Sequence, residues 1–261
     1  MNPGGFQKHK KVTVKRFLKK SLALFLQEQW AGLGYYAASE TGNVLAERQI
    51  FQESTILTCP LCQFSAPAFV HLSNPLAISW NSACPNCNSR SRHRGLIFLY
   101  RKYLQNSCGK KILHFAPEPV LENEIRKCSQ HQYYTTDYHM SDVDFPKENI
   151  QELSFNDSSF DLVLSNHVLE HVPDDQQALT EISRVLIRGG AMIITIPGDW
   201  RRKYTKTFTH LNYNGHYRDY GLDILDRMQS SFSRVKKVNL FKYEGQKYAI
   251  KPLETAFICI K

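Results

Sequence analysis

Apolar positions along the chain repeat with one texture up to about residue 109 and another beyond it. From Val14 the apolar residues Val14, Phe17, Leu18, Leu22, Phe25 and Leu26 fall on one helical stripe, with Lys15, Arg16, Lys19 and Lys20 on the other side. Residues 55–90 hold no sustained period and read as irregular. A helix is expected from about Ser91 to Gln105, with Leu96, Ile97, Leu99 and Tyr100 as its apolar content. After Gly109, short β-rich runs alternate with helical ones. Strands are expected at Ile112–Ala116, Tyr133–Asp137, Asp161–His167 and Ala191–Pro197, and helices at Pro119–Cys128 and Asp174–Ile187. Pro119 suits a first helical position, where no backbone donor is needed. Asp174 or Asp175 can cap the second helix, Ala178, Leu179, Ile182, Val185 and Leu186 line one face, and Gly189 is expected to end it. A polar, aromatic stretch follows to Tyr220. A helix at Leu222–Phe232 and strands at Val235–Phe241 and Ala256–Ile260 close the pattern. This βαβα alternation predicts an α/β fold with a mostly parallel sheet covered by helices on both faces. The expected organisation is a leader over residues 1–54, a cysteine-bearing module with a connecting helix over 55–108, and the α/β domain over 109–261.

Charge sharpens that division. Of a formal net charge of +9, residues 1–20 carry +7 with no acid, and residues 54–117 carry another +7 with no acid. The remainder is mildly acidic, with 19 basic against 24 acidic residues. A charge run is most often a solvated face. Two separate basic zones still raise a polyanionic partner, or an anionic membrane surface met by the basic N-terminal helix. With 42% hydrophobic and 22% charged residues, the composition is ordinary for a globular protein. No apolar run reaches membrane-span length, and Leu22–Leu26 is broken by Gln27 and Glu28. A cytoplasmic location is expected, with the inner membrane surface as a peripheral site.

Four of the seven cysteines form two tight pairs, Cys59-Pro-Leu-Cys62 and Cys84-Pro-Asn-Cys87. Each pair puts two thiolates on one turn, and two turns complete a tetrahedral zinc site. A redox centre would need one pair only, and disulfides would need an oxidising compartment. Four thiolates leave no open position, so the zinc expected here is structural. Cys108, Cys128 and Cys259 are scattered and are expected to be reduced, buried thiols.

In an open α/β sheet a ligand sits beyond the carboxyl ends of the strands, at the point where strand order reverses. The first strand here runs into Phe115-Ala116-Pro117-Glu118. The second ends at Asp137, where an acid can accept from both ribose hydroxyls. The phrase from Ser159 to Gly190, including Phe160-Asp161-Leu162-Val163, Asn166-His167-Val168-Leu169-Glu170-His171-Val172 and Arg184-Val185-Leu186-Ile187-Arg188-Gly189-Gly190, resembles the seven-stranded, Rossmann-like S-adenosylmethionine-dependent methyltransferases of the methyltransferase 11 group. Arg188 stands where that group usually has Pro. The resemblance covers roughly residues 110–261, and the cysteine pairs followed by Arg92-His93-Arg94 resemble a zinc-knuckle subgroup. The resemblance implies S-adenosylmethionine as cofactor. It places Asp137 on the ribose, Asn149 and Ile150 at adenine, and Asn166 and His167 facing cofactor and substrate. The family's glycine-rich first loop is replaced by Phe115, Ala116, Pro117 and Glu118, so the methionyl part must be held differently, with Glu118 a candidate for its ammonium group. Asn149 stands where the family usually has Asp.

Methyl transfer to oxygen needs a base or a metal, since an unactivated hydroxyl is a poor nucleophile. The candidates are His167, Glu170 and His171, and in the insert after the fifth strand His210 and His216, with His216 as base and Arg218 as anion clamp. Arg92, His93 and Arg94 are candidates for the same cleft. His167, Glu170 and His171 stand at i, i+3 and i+4. That spacing resembles the divalent-metal constellation of ubiquinone-biosynthesis O-methyltransferases, which have Glu at the position of His167. The leading expectation is O-methylation of a glycan or small-molecule acceptor, which an anionic group would suit. RNA base methylation with the zinc module on RNA is the alternative, and a non-catalytic binding protein of the same fold is a second.

Overall fold

The computed structural model of the chain describes residues 19–21, 30–47, 56–74, 77–105, 108–212 and 214–261. The basic helical stripe from Val14 to Leu26 therefore lies outside the described residues, apart from positions 19–21. The chain divides into two compact units, Met1–Leu99 with Leu240–Glu254, and Tyr100–Asn239 with Thr255–Lys261. Among the described residues no helix is long and apolar enough to cross a membrane.

In the first unit, helix α1 (Trp30–Glu47) precedes two small hairpins, β1 (Leu57–Thr58) with β2 (Ser65–Ala66), and β3 (Val70–Asn74) with β4 (Ala77–Ala83). These hairpins correct the irregular reading of residues 55–90. Strands β1 and β2, of two residues each, are too short to show a period, and a register shift between Val70 and Leu72 interrupts the pairing of the longer β3 and β4. Helix α2 (Ser91–Leu104) follows, and the boundary between the units falls within it. Arg94 on α2 is fully buried. Its guanidinium donates to five backbone carbonyls, those of Asn81, Ser82, Ser89, Tyr248 and Ala249. It thereby ties the second cysteine hairpin to the segment Leu240–Glu254.

The second unit holds a seven-stranded sheet. Its strands are β5 (Lys111–Phe115), β6 (Gln132–Asp137), β7 (Phe145–Pro146), β8 (Phe160–Asn166), β9 (Leu186–Thr195), β12 (Arg234–Asn239) and β13 (Thr255–Ile260). The small pair β10 (Lys206–Thr207) and β11 (Arg218–Asp219) lies in the stretch between β9 and β12. The order across the sheet is β12-β13-β9-β8-β5-β6-β7, parallel from β9 to β7, with β13 antiparallel to both of its neighbours. Strand β8 (FDLVLSN) is buried along nearly its whole length. A near-continuous apolar run is what a parallel strand covered on both faces requires. Leu113, Val163, Ile182, Met192, Ile194 and Phe257 lie in the core beneath.

Helices α3 (Pro119–Arg126), α4 (Asp175–Val185) and α5 (Ile224–Gln229) complete the unit. Asp174 caps α4, its carboxylate accepting from the Gln177 amide. The far end of α4 departs from expectation. The helix stops at Val185, and Leu186 already pairs with Phe160 on β8. Gly189, at φ 76°, instead turns the backbone inside β9, where the β8–β9 register shifts before Ala191 pairs with Leu162. The sequence pattern is the same for a capped helix end and for a strand entered through a glycine turn.

Candidate functional site

Strand order reverses at β5, which pairs with β6 on one side and β8 on the other. Beyond the carboxyl ends of these three strands lies a cleft of about 530 Å³, within the usual size of ligand pockets. Phe115 and Ala116 line it after β5, Asp137, Tyr138 and His139 after β6, and His167 and Val168 after β8. Glu148, Asn149, Ile150 and Gln151 form another side, and His171, Val172 and Pro173 close the rim.

Two of these residues have left-handed backbones without being glycine, Ala116 at φ 48° and His167 at φ 54°. Each directly follows its strand and is fixed by the next strand over, Ala116 N–H donating to Thr136 O and His167 N–H to Thr195 O. Such a backbone costs an L-residue about 1–2 kcal/mol. The loop that lacks glycine thus keeps the conformation glycine would give it, with a single methyl group added.

Asp137 Oδ1 accepts from the amides of His139 and Met140 at 2.6 and 2.7 Å, which folds the chain back along the cleft. A carboxylate has about four acceptor sites, so capacity remains for hydroxyl donors. Asn149 Oδ1 accepts from the Gln151 amide, and Ile150 is buried. The neighbouring loop is clamped by α4. Glu181 accepts from the Leu153 amide at 2.8 Å, while Arg184 donates to Leu153 O, Phe155 O and Glu181. The Arg184 guanidinium holds the Glu181 carboxyl below its ordinary range. The Glu and Arg of the motif phrase, Glu181 and Arg184, therefore brace the loop that follows Asn149 and Ile150.

His167 Nδ1 lies 3.1 Å from Glu170 Oε1. A carboxylate oxygen accepts, so Nδ1 is the donor of this contact, and in the neutral imidazole Nε2 is then the acceptor. Glu170 is fully buried and stands on the one-turn 3₁₀ helix Leu169–His171. His171 Nδ1 donates to Gly215 O at 3.0 Å.

The remaining expected residues sit elsewhere. Asn166 is buried behind the cleft, bonded to Tyr100 Oη and to the Thr195 hydroxyl, so it braces β8 and β9 and does not line the cavity. Glu118 precedes α3, where its carbonyl accepts from the Leu121 and Glu122 amides, and it is not among the lining residues. Arg218 corrects the anion-clamp expectation. It is 6% exposed, donates to Val172 O and Pro173 O, and lies 3.6 Å from Asp175. Two of its N–H groups hold the cleft's rim, and the buried side chain is not on the cleft wall. His216 is not on the cleft wall either, and its ring packs edge-on against His171 with centroids 4.8 Å apart. Arg94 is also unavailable as a cleft residue, being enclosed by backbone carbonyls in the first unit. Tyr138, His139 and Gln151 line the cleft without having been singled out in the sequence. Proximity to Asp137 and Asn149 was the signal for them.

In the first unit the four cysteines Cys59, Cys62, Cys84 and Cys87 converge, with ligand atoms all within 4.8 Å of one another. The Sγ pairs Cys59–Cys87 and Cys62–Cys84 are each 3.6 Å apart. That is close to the roughly 3.8 Å edge of a tetrahedron with Zn–S bonds of 2.3 Å, and far from a disulfide bond. The two turns repeat one backbone pattern. Gln63 and Asn88, both left-handed, donate back to the carbonyls of Cys59 and Cys84, while the amides of those cysteines donate to Phe64 O and Ser89 O. Hydrogen bonds from the Cys84 and Cys87 thiols hold the Cys59 thiol far below its ordinary range. Of the scattered cysteines, Cys259 is buried as expected, whereas Cys108 is exposed and Cys128 only half-buried.

Residues 99–194 match the methyltransferase-domain family Methyltransf_11. No curated protein sequence matches the chain. Among solved structures, 1,6-didemethyltoxoflavin-N1-methyltransferase from Burkholderia thailandensis is similar at 16% identity over 65% of this chain and 78% of that one, with a TM-score of 0.48. Phosphoethanolamine N-methyltransferase 2 from Haemonchus contortus is similar at 14% identity over 70% and 54%, with a TM-score of 0.45. The YcgJ protein from Bacillus subtilis is similar at 14% identity over 65% and 98%, with a TM-score of 0.41. These likenesses carry nothing about substrate. Residues 99–194 are thus the part of the chain that is similar to the Methyltransf_11 methyltransferase-domain family.

Proposed function

We propose that the chain is an S-adenosylmethionine-dependent methyltransferase acting on a hydroxyl of a small-molecule or glycan acceptor, with a structural zinc in its four-cysteine knuckle. The observation that carries this reading is the cleft at the strand-order reversal, ringed by Asp137, Asn149, Ile150 and His167. Asp137 accepts from the ribose hydroxyls with the acceptor sites its own turn leaves over, and Asn149 with Ile150 borders adenine. Ala116 brings main chain close to the ligand with only a methyl group in the way. When bound, the cofactor supplies an electrophilic methyl group on a sulfonium.

His167 is the base in this reading. Glu170 orients it through Nδ1, so Nε2 takes the acceptor's hydroxyl proton as the oxygen is methylated. Holding the partners in line supplies much of the remaining rate. The test is tritium transfer from labelled S-adenosylmethionine into fractionated lysate. With the acceptor so identified, His167→Ala is expected to lower turnover by roughly 10²–10⁴-fold while leaving cofactor affinity unchanged. Full turnover in His167→Ala would remove it from the chemistry.

A further inference from the structure

We infer that Glu170, His171 and His216 form a second metal site, distinct from the cysteine knuckle, which takes a divalent transition-metal ion. One ligand atom from each of the three lies within 4.8 Å of the others. They come from two separate segments, the 3₁₀ turn after β8 and the loop before β11.

Several features prepare these side chains for a cation. The Nδ1–H of His171 is committed to Gly215 O at 3.0 Å, so Nε2 presents its lone pair. A backbone carbonyl on the far nitrogen is the usual outer partner of a metal-binding imidazole. Gly215 is left-handed at φ 75°, a conformation glycine reaches without strain. Glu170 is fully buried, and while Oε1 meets His167, Oε2 has no hydrogen-bond partner. A buried carboxylate oxygen without a donor is costly unless a cation completes it. The buried Nδ1 of His216 also lacks a hydrogen-bond partner. It lies 3.8 Å from Asp219 Oδ1, so a movement of under about 1 Å gives this imidazole an outer carboxylate too.

His167 lies outside the cluster of three, and its Nε2 is the atom read above as the base. The third ligand is His216, which lies 45 residues beyond His171 in sequence. Ligands sharing one ion of this kind stand about 3.4 Å apart, so the widest pair must close by roughly 1.4 Å. Two imidazoles and one carboxylate suit zinc, cobalt, nickel, iron or manganese better than magnesium or calcium, which prefer all-oxygen shells. Because His171 also lines the cleft, a bound ion has an open position toward the cleft's occupant. Only this last consequence rests on the methyltransferase reading.

The test is titration of the metal-depleted full-length chain with Co²⁺, followed by absorption and by metal content after desalting. Wild type is expected to take about two ions, one with intense thiolate-to-cobalt bands and one without. His216→Ala, and independently the rim variant His171→Ala, should each lose the ion without thiolate bands and keep the cysteine-bound one. The retained thiolate bands report that the chain is folded. Binding of the cysteine-bound ion alone by wild type, or of both ions by both variants, overturns the site.

Discussion

Arg94 provides the sharpest structural test of the first unit. Its guanidinium is fully buried and bonds five carbonyls at 2.5 to 3.3 Å, two of them in Leu240–Glu254 and three in the hairpin and turn around Cys84. Burial pushes the Arg94 pKa down to about 10, against the opposing pull of the Cys59, Cys84 and Cys87 thiolates. Those thiolates, net negative even around a zinc ion, are the countercharge that lets a cation stay there. Arg94→Lys keeps the charge but offers a single nitrogen with three donors, so at least two carbonyls lose a charge-assisted partner. At about 1.5–3 kcal/mol each, the loss is roughly 3–6 kcal/mol, a large share of a typical domain's stability. The assay is hydrogen exchange by mass spectrometry on the zinc-loaded chain, read at the amides of Thr58 and Lys251. These amides bond Lys247 O and the Ser91 hydroxyl respectively. The lower end of that range corresponds to exchange about 100-fold faster, together with faster zinc release to a chelator. Unchanged exchange and unchanged zinc release would refute the assignment of Arg94 as the tie between the knuckle and Leu240–Glu254.

Two further outcomes follow from the second unit. Ala116→Gly removes a left-handed alanine, whose relief exceeds glycine's entropic cost by about 0.5–1 kcal/mol, so the melting temperature should rise by roughly 1–3 °C. A fall would show that the alanine methyl makes a contact worth more than the strain. Glu181 is depressed below its ordinary value of 4.5, mainly by its hydrogen bond to Arg184, so its contribution is present above that pH and is lost as pH falls through the lower folded value. Cofactor affinity measured downward from pH 5 should therefore decline, and Glu181→Gln should already show the weaker affinity at pH 5. Equal affinity of variant and wild type at pH 5 would separate the clamp from the site.

Much of the α/β unit was legible because its signals are local. Asp174 caps α4 through its own side chain, and the run Phe160–Asn166 announces a strand buried on both faces. The cysteine pairs were legible for the same reason, since Cys-Pro-x-Cys spacing sets the turn that makes each half of the site. What escaped depends on distant partners. Gly189 reads as a helix end until the register of β8 and β9 is known. Arg218 reads as a free cation until Val172 O and Pro173 O occupy two of its donors. Nothing near Glu170 in sequence announces that His216 will arrive beside it, or that Leu240–Glu254 will close over Arg94 in the first unit.

The central claim is that S-adenosylmethionine binds at the ends of β5, β6 and β8. Calorimetric titration of the cofactor into wild type and Asp137→Ala tests it most directly. The account predicts measurable binding to wild type, weakened about 10–100-fold by the substitution, since a lost charge-assisted hydrogen bond costs roughly 1.5–3 kcal/mol. A wild-type chain that binds no cofactor, or an Asp137→Ala chain that binds it equally well, would contradict the account.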